Sequence, residues 1–199
     1  EDGRLAMIGY DMENTALVFA SKNGIDTPET DAFKQMVLNS FKTSELEFMK
    51  VFANKHNVNY IFEVIEPLND PKIIKANEPS LILLSVVKRD IVFSQLTYEN
   101  LEAFSSNFKK SPAKKKFVSF NTFENFEKFC NALSNETAFK TKRHMEGFVI
   151  EGAGMFMVKL PYYQFWKAMS DSVSQINVDA AKGVKTDVNT LVSGLNIKS

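Results

Sequence analysis

Short apolar runs separated by polar turns occur along much of the chain, and this pattern predicts β-strands. The polar residues 11–14 join the first two runs and are typical of a hairpin turn. Residues 81–87 are apolar apart from Ser85, which predicts a buried strand, and residues 91–93 are predicted to pair with it. The predicted strands cover residues 4–10, 15–20, 58–67, 73–74 and 81–87, followed by a hairpin at 147–159.

Apolar residues at helical spacing predict five helices between and after these strands. Thr27, Pro28 and Glu29 mark the start of the first, because threonine caps a helix, proline fits its first turn and an acidic residue favours its positive end. Strands and helices are mixed without a regular β–α alternation, which favours an α+β fold over a doubly wound sheet. The predicted helices begin at Thr27 and cover residues 44–55, 98–106, 122–134 and 161–175, and the tail 176–199 is weakly helical.

The composition of the 199 residues is that of a folded domain with an ample core, because 44% are hydrophobic and 18 are Phe. Lys+Arg and Asp+Glu both total 24, so the net charge gives no general affinity for nucleic acid. The lysine-rich residues 109–116 are either a local patch for nucleic-acid phosphates or a solvated loop. The single cysteine, Cys130, excludes an internal disulfide and fits a reducing compartment. No apolar run reaches membrane-spanning length, and no signal peptide is visible.

The predicted hairpin near the C-terminal end carries the most specific chemistry. Glu146 and Gly147 open its first apolar run, and Lys159 closes the second. Such a hairpin places a carboxylate and an ammonium group on neighbouring strands, which suits a site that handles a nucleotide phosphate with a metal ion. Glu63 is a second candidate because it interrupts an apolar strand, although alternation alone also allows it to face solvent.

The start of the chain is similar to the first motif of a ligase family, which is a lysine, any residue, Asp, Gly and usually Ser. Residues 1–4 match it from the second position onward, with Arg4 in place of Ser, and the lysine would immediately precede Glu1. With the later motifs, residues 1–167 resemble the ATP-dependent RNA ligases of the phage RNA ligase 1 type, which are covalent nucleotidyltransferases. The resemblance implies a ligase-type α+β fold, similar to ATP-grasp, with antiparallel sheets flanked by helices. It also implies that residues 1–167 are an N-terminally truncated adenylylation domain and that 168–199 are a helical extension or the start of a C-terminal domain.

The resemblance also implies roles for individual residues. Glu146 would hold the catalytic metal, and Glu63 would lie near the ribose and the attacking lysine. Lys22 and Lys159 would bind phosphates, whereas Met157 stands where the family has another lysine. The implied catalytic residues are Glu63, Glu146 and Lys159. The implied nucleotide-binding residues are Gly3, Arg4, Lys22, Glu63, Gly147, Lys159 and Tyr163.

The function that the resemblance implies is the joining of 5′-phosphate and 3′-hydroxyl ends of RNA. ATP would adenylylate the lysine, AMP would pass to the 5′-phosphate, and the 3′-hydroxyl would displace it, with Mg²⁺ as the metal. The expected protein is a phage-type monomer that acts in the cytoplasm, with cleaved tRNA among its candidate substrates. Two alternatives stay open. One is a degenerate relative that binds nucleotide or RNA without catalysis, and the other is an unrelated α+β domain that binds no ATP.

Overall fold

The chain has the predicted α+β fold in a computed structural model that describes residues 2–67, 76–110, 112–113, 118–135, 146–151 and 155–187. Some predictions fall outside these described residues, namely those for residues 73–74, for residues 114–116 and for the residue before Glu1. The described residues divide into two units. The sheet unit comprises the described residues between 3 and 119, and the hairpin unit comprises Asp2 and the described residues from 120 to 187.

A four-stranded antiparallel sheet with the order β2-β1-β3-β4 forms the centre of the sheet unit. Arg4 pairs with Val64 and Ala6 with Ser21, so the start of β1, the end of β2 and the end of β3 lie at one end of the sheet. The four strands were all predicted from the apolar runs. Their bounds are Arg4–Asp11 for β1, Ala16–Ser21 for β2, Val58–Ile65 for β3 and Ser80–Lys88 for β4.

Three helices cover the core face of this sheet: α1 at Pro28–Ser40, α2 at Thr43–His56 and α3 at Tyr98–Ser105. The hydroxyl of Thr27 accepts a hydrogen bond from Thr30 N–H, which confirms the predicted cap. Phe33 of α1 and Phe62 of β3 are almost fully buried, and their ring centroids are 5.9 Å apart. The buried hydroxyl of Tyr60 donates to the backbone oxygen of Met49 at 2.7 Å, so its burial leaves no donor unpaired.

Glu45 at the start of α2 is a buried carboxylate whose hydrogen bonds stabilise the sheet unit. It accepts from Lys109 N–H at 2.6 Å and from Lys42 N–H at 2.7 Å. These bonds, with that of Lys109 the larger cause, hold the pKa of Glu45 below its ordinary value of 4.5. A carboxylate with a lowered pKa stabilises the fold above its unfolded-state pKa, and this contribution is lost as the pH falls through the folded-state pKa.

We therefore expect Glu45→Gln to lower the free energy of unfolding by about 1–2 kcal/mol at pH 7. The difference from wild type should shrink as the pH is lowered through the acid range, and urea unfolding at several pH values checks this. Glu47→Gln is the matched control, because Glu47 is exposed on the same helix and pairs with Lys50 at 3.3 Å. Its effect should stay below about 0.5 kcal/mol. Equal losses in the two variants would contradict the role of Glu45.

The prediction that residues 91–93 pair with the preceding strand is wrong. Ile91, Val92 and Phe93 lie in an exposed bend, with 102%, 75% and 62% of their surfaces accessible. The bend starts at Arg89, whose backbone N–H donates to Asn57 O at 2.8 Å and whose Nη1 donates to Tyr10 O at 2.9 Å. These bonds fix the end of β4, and residues 91–93 form the bend between Lys88 and Ser94, which the β-propensity of the three residues does not reveal.

Residues after this bend lie along the outer edge of β4. Leu96 N–H donates to Val86 O at 3.0 Å, and Leu83 N–H donates to Pro112 O at 2.6 Å. Val87 and Gln95 form an isolated antiparallel bridge. Part of the hydrogen-bonding capacity of this edge is therefore used within the chain.

The hairpin unit contains the predicted hairpin and two helices. Its elements are α4 at Phe123–Asn135, β5 at Gly147–Glu151, β6 at Met155–Lys159 and α5 at Pro161–Ala181. Phe129 of α4 packs edge-on against Phe148 of β5, with centroids 5.3 Å apart.

Helix α5 runs six residues beyond the predicted end at residue 175. Gly183 follows this helix with φ of 68°, a left-handed conformation that suits glycine at a helix end. Among the described residues, no helix combines the length and apolarity needed to span a membrane.

Candidate functional site

The hairpin places Glu146 beside Lys159, as predicted from the sequence. In the register of β5 and β6, Gly147 lies opposite Lys159, and Lys159 Nζ is 3.1 Å from Glu146 Oε1. The side chain of Glu146 is 13% exposed and that of Lys159 is 41% exposed. The carboxylate is thus largely shielded from water, while the ammonium group remains accessible to a ligand.

Gly147 allows the two strands to approach closely at this point. A Cβ atom at this position would lie 2.0 Å from Val158 O and 2.9 Å from Lys159 Cα. Both atoms belong to the backbone of β6, so no side-chain rotation can relieve the clash. The glycine is therefore required by the pairing that brings Lys159 next to Glu146.

Tyr163 completes the group from the first turn of α5, where Pro161 starts the helix directly after β6. Lys159 Nζ lies 4.7 Å from the centroid of the Tyr163 ring, a favourable cation–π distance. The Tyr163 hydroxyl donates to Asp2 Oδ1 at 3.3 Å. Burial, followed by the negative charges of Glu146 and Asp2, raises the pKa of Tyr163 well above its ordinary value. A tyrosine hydroxyl is already protonated at neutral pH, and the raised pKa keeps it a donor at higher pH as well.

Asp2 is a member of this group that the predicted site residues did not include. Only 7% of its surface is exposed, and its carboxylate accepts the hydrogen bond from the Tyr163 hydroxyl. The available signal was the Asp-Gly pair of the first motif, which by itself is typical of an ordinary turn.

A second group of predicted residues lies at the end of the sheet where β1 begins. Gly3 N–H donates to Glu63 Oε1 at 2.7 Å, so Glu63 is tied to the start of β1. Glu63 points to the sheet face opposite the buried Phe62 and Val64, as strand alternation requires. A Cβ atom on Gly3 would lie 2.5 Å from Val64 O, so this glycine also permits a close approach of two strands.

Arg4 and Lys22 lie at the same end of the sheet but in different environments. Arg4 forms an ion pair with Glu66, and the two side chains are 21% and 11% exposed. Lys22 follows Ser21 in the turn after β2 and is exposed. The structure thus brings Gly3, Glu63 and Arg4 to one end of the sheet in two separate contacts, whereas Lys22 is exposed to solvent.

Comparison with known proteins decides the family. A protein-family model described as RNA ligase matches residues 1–164, which is well over half of the 199 residues. The chain belongs to this RNA ligase family. The resemblance stated from the sequence motifs is thereby confirmed. No curated protein sequence matches this RNA ligase family member.

Solved structures support the ligase-type fold. One similar structure is described as "Putative ATP-dependent DNA ligase from Aquifex aeolicus", with a TM-score of 0.55 and 14% sequence identity. The match covers 88% of this chain and 46% of that chain. At this identity the likeness concerns the fold, and the chain spans less than half the length of that ligase.

Glu146 and Asp2 of the hairpin unit are the carboxylates to consider as ligands of a metal ion that nucleotide phosphates also bind. In the described part of this RNA ligase family member, no group of three or more His, Cys, Asp or Glu side chains is arranged to hold a metal ion. Mg²⁺ in nucleotide sites is commonly held by one or two carboxylates together with phosphate oxygens and water. Glu146 and Asp2 are the carboxylates of this unit whose charges act on the Tyr163 hydroxyl, and they are the side chains that could supply such ligands.

Proposed function

We propose that this RNA ligase family member is the nucleotidyltransferase part of an ATP-dependent RNA ligase. The observation that carries the proposal is the contact of Lys159 with both Glu146 and Tyr163, in a chain that the RNA ligase family model matches. A half-exposed ammonium group held by a shielded carboxylate and an aromatic ring is preorganised for a phosphate.

The proposed reaction has three steps. A lysine preceding Glu1 attacks the α-phosphate of ATP, which forms a lysyl–AMP bond and releases pyrophosphate. The 5′-phosphate of an RNA then displaces the lysine and takes up AMP through a pyrophosphate bond. The 3′-hydroxyl of a second RNA end finally attacks the activated phosphate, which forms the phosphodiester and releases AMP.

In the hairpin unit, the proposed role of Lys159 is to stabilise the negative charge that develops on phosphate oxygens. Glu146 fixes the ammonium group from one side and the Tyr163 ring from the other. The Tyr163 hydroxyl is a donor that orients the carboxylate of Asp2. Glu146, with Asp2 nearby, would hold Mg²⁺, which when bound supplies further neutralisation of phosphate charge. Gly147 contributes by permitting the backbone approach.

In the sheet unit, the proposed role of Glu63 is to lie near the ribose and the attacking lysine. Its hydrogen bond to Gly3 supports this role, because Gly3 is only three residues from the position of that lysine. Lys22 and Arg4 are proposed phosphate contacts. The proposed substrate is RNA with 5′-phosphate and 3′-hydroxyl ends, with cleaved tRNA as one source, and a monomeric protein in the cytoplasm is the proposed setting.

A second candidate function is nucleotide binding without ligation. Met157, which pairs with Val149 and lies on the same strand face as Lys159, is 50% exposed at a position where the family has a lysine. Arg4, which replaces the serine of the first motif, is paired with Glu66. Both features reduce the positive charge offered to phosphates, and they are the reason to keep this candidate.

The test is intact-protein mass spectrometry of the polypeptide extended upstream of Glu1, after incubation with ATP and Mg²⁺. We expect a mass gain of one AMP, and we expect it to disappear when RNA with a 5′-phosphate is added. ATP binding without a covalent gain would favour the binding-only candidate. Absence of ATP binding in calorimetry would contradict both and leave an α+β domain without nucleotide chemistry.

A further inference from the structure

Arg4 is a cation at a proposed phosphate site, yet its charge is already balanced. Its guanidinium group forms an ion pair with the carboxylate of Glu66, and both side chains are mostly shielded from water. Arg4 pairs with Val64 across β1 and β3, and Glu66 follows one residue after β3 ends. The contact therefore closes the end of the sheet next to Gly3 and Glu63.

The positive charge of Arg4 also lowers the pKa of a second carboxylate, that of Glu29. The pKa of Glu29 is lowered chiefly by a hydrogen bond from its own backbone N–H, and the positive charge of Arg4 adds to this effect. Of these two carboxylates, Glu66 is the one that contacts Arg4 directly. A phosphate that binds Arg4 has to compete with the Glu66 carboxylate, because the guanidinium presents its donors in a fixed planar fork.

We infer that Glu66 is a positioning residue that masks Arg4 and thereby sets how strongly this end of the sheet attracts a polyphosphate. The inference rests on the proposed function for its ligand, ATP, but the masking itself is a property of the two side chains. Removal of the Glu66 charge releases the guanidinium group. ATP binding then tightens, and its dependence on salt becomes steeper because one more cation faces the phosphates.

The masking is measured first, without nucleotide, by the rate at which phenylglyoxal modifies Arg4, followed by peptide mapping. We expect slow modification in the wild-type chain and modification about tenfold faster in Glu66→Gln, since the Glu66 carboxylate holds the guanidinium in its charged form and shields the nitrogens that react with the reagent. Arg89, which is held by Asn57 and Tyr10, is the internal reference and should react at the same rate in both proteins. Equal Arg4 rates in the two proteins would overturn the inference.

ATP affinity is measured next by calorimetry on the same proteins. We expect Glu66→Gln to bind ATP about 5–10-fold more tightly than wild type at low salt. Arg4→Ser/Glu66→Gln should bind like Arg4→Ser, because Glu66 acts only through Arg4. Glu47→Gln removes the same charge from an exposed site of the sheet unit and should bind like wild type.

The outcomes separate the inference from the proposed function. If wild type binds ATP and Glu66→Gln binds it with the same dissociation constant, the inference is overturned and the proposed function stays in place. The same holds if Glu47→Gln tightens ATP binding as much as Glu66→Gln does. Tighter binding by Glu66→Gln in the Arg4→Ser background also overturns it. If none of the variants binds ATP, the proposed function and the role of Glu66 in phosphate affinity both fail.

Discussion

Alanine at position 147 is expected to destabilise the hairpin unit by about 3 kcal/mol or more, because the added methyl group has no space. The nearest atoms are Val158 O at 2.0 Å and Lys159 Cα at 2.9 Å, and both are backbone atoms of the paired strand. Relief requires that β5 and β6 move apart. That movement also separates Lys159 from Glu146, so any adenylylation should fall together with stability.

The fluorescence of Trp166 is the measurement for this prediction, since it is the single tryptophan of the sequence and lies on α5 of the hairpin unit. Urea unfolding followed at this residue should shift to lower denaturant in Gly147→Ala. Val149→Ala is the control, because Val149 is on the same strand, is 50% exposed and loses only part of an exposed side chain. A Gly147→Ala midpoint equal to that of Val149→Ala would mean that the register of Gly147 with Lys159 is incorrect.

Loss of the Lys159 ammonium group is expected to have the largest effect on chemistry. Lys159→Ala should lower the rate of lysyl–AMP formation by about 10²–10³-fold, the usual cost of removing one preorganised group that stabilises developing charge. The substitution also leaves the shielded Glu146 carboxylate without its 3.1 Å partner. The electrostatic environment would then oppose a phosphate instead of attracting it.

Single-turnover formation of labelled AMP–protein, on the polypeptide that includes the attacking lysine, measures this rate. Lys167→Ala is the matched control, because Lys167 lies on α5 in the same unit and pairs with Asp171 at 2.8 Å on the exposed surface. It should react like wild type. If Lys159→Ala reacts at about the rate of Lys167→Ala, Lys159 has no role in adenylylation.

Lys159→Arg keeps the positive charge but not the compact ammonium group, and we expect it to retain part of the adenylylation rate.

Much of the fold could be predicted because local chemistry and tertiary packing agree over most of the chain. The Thr27 cap and Pro28 start one helix whatever packs against it, and the apolar runs of β1 to β4 have the length and composition of strands. Residues 91–93 are different. Their β-branched and aromatic side chains suit a strand, but Arg89 forms hydrogen bonds with Asn57 and Tyr10, which are distant in sequence, and these bonds redirect the chain.

In the candidate site, too, contacts between residues close in sequence could be predicted, whereas contacts between distant residues could not. Glu146, Gly147 and Lys159 belong to one hairpin, so a short stretch of sequence was sufficient to predict that they meet. Asp2 and Tyr163 are 161 residues apart, and no local pattern could predict their hydrogen bond. The roles assigned to the site residues remain predictions, and the substitutions of Arg4, Gly147 and Lys159 test three of them directly.

The segments along the outer edge of β4 have a consequence for the solubility of the protein. β4 is rich in leucine and valine, and an apolar edge strand is a template on which strands of other molecules can stack into aggregates. Here Leu83 N–H is already bonded to Pro112 O, Val86 O accepts from Leu96 N–H, and proline has no N–H of its own to offer an incoming strand. The chain thus opposes intermolecular sheet growth at β4 through its own backbone.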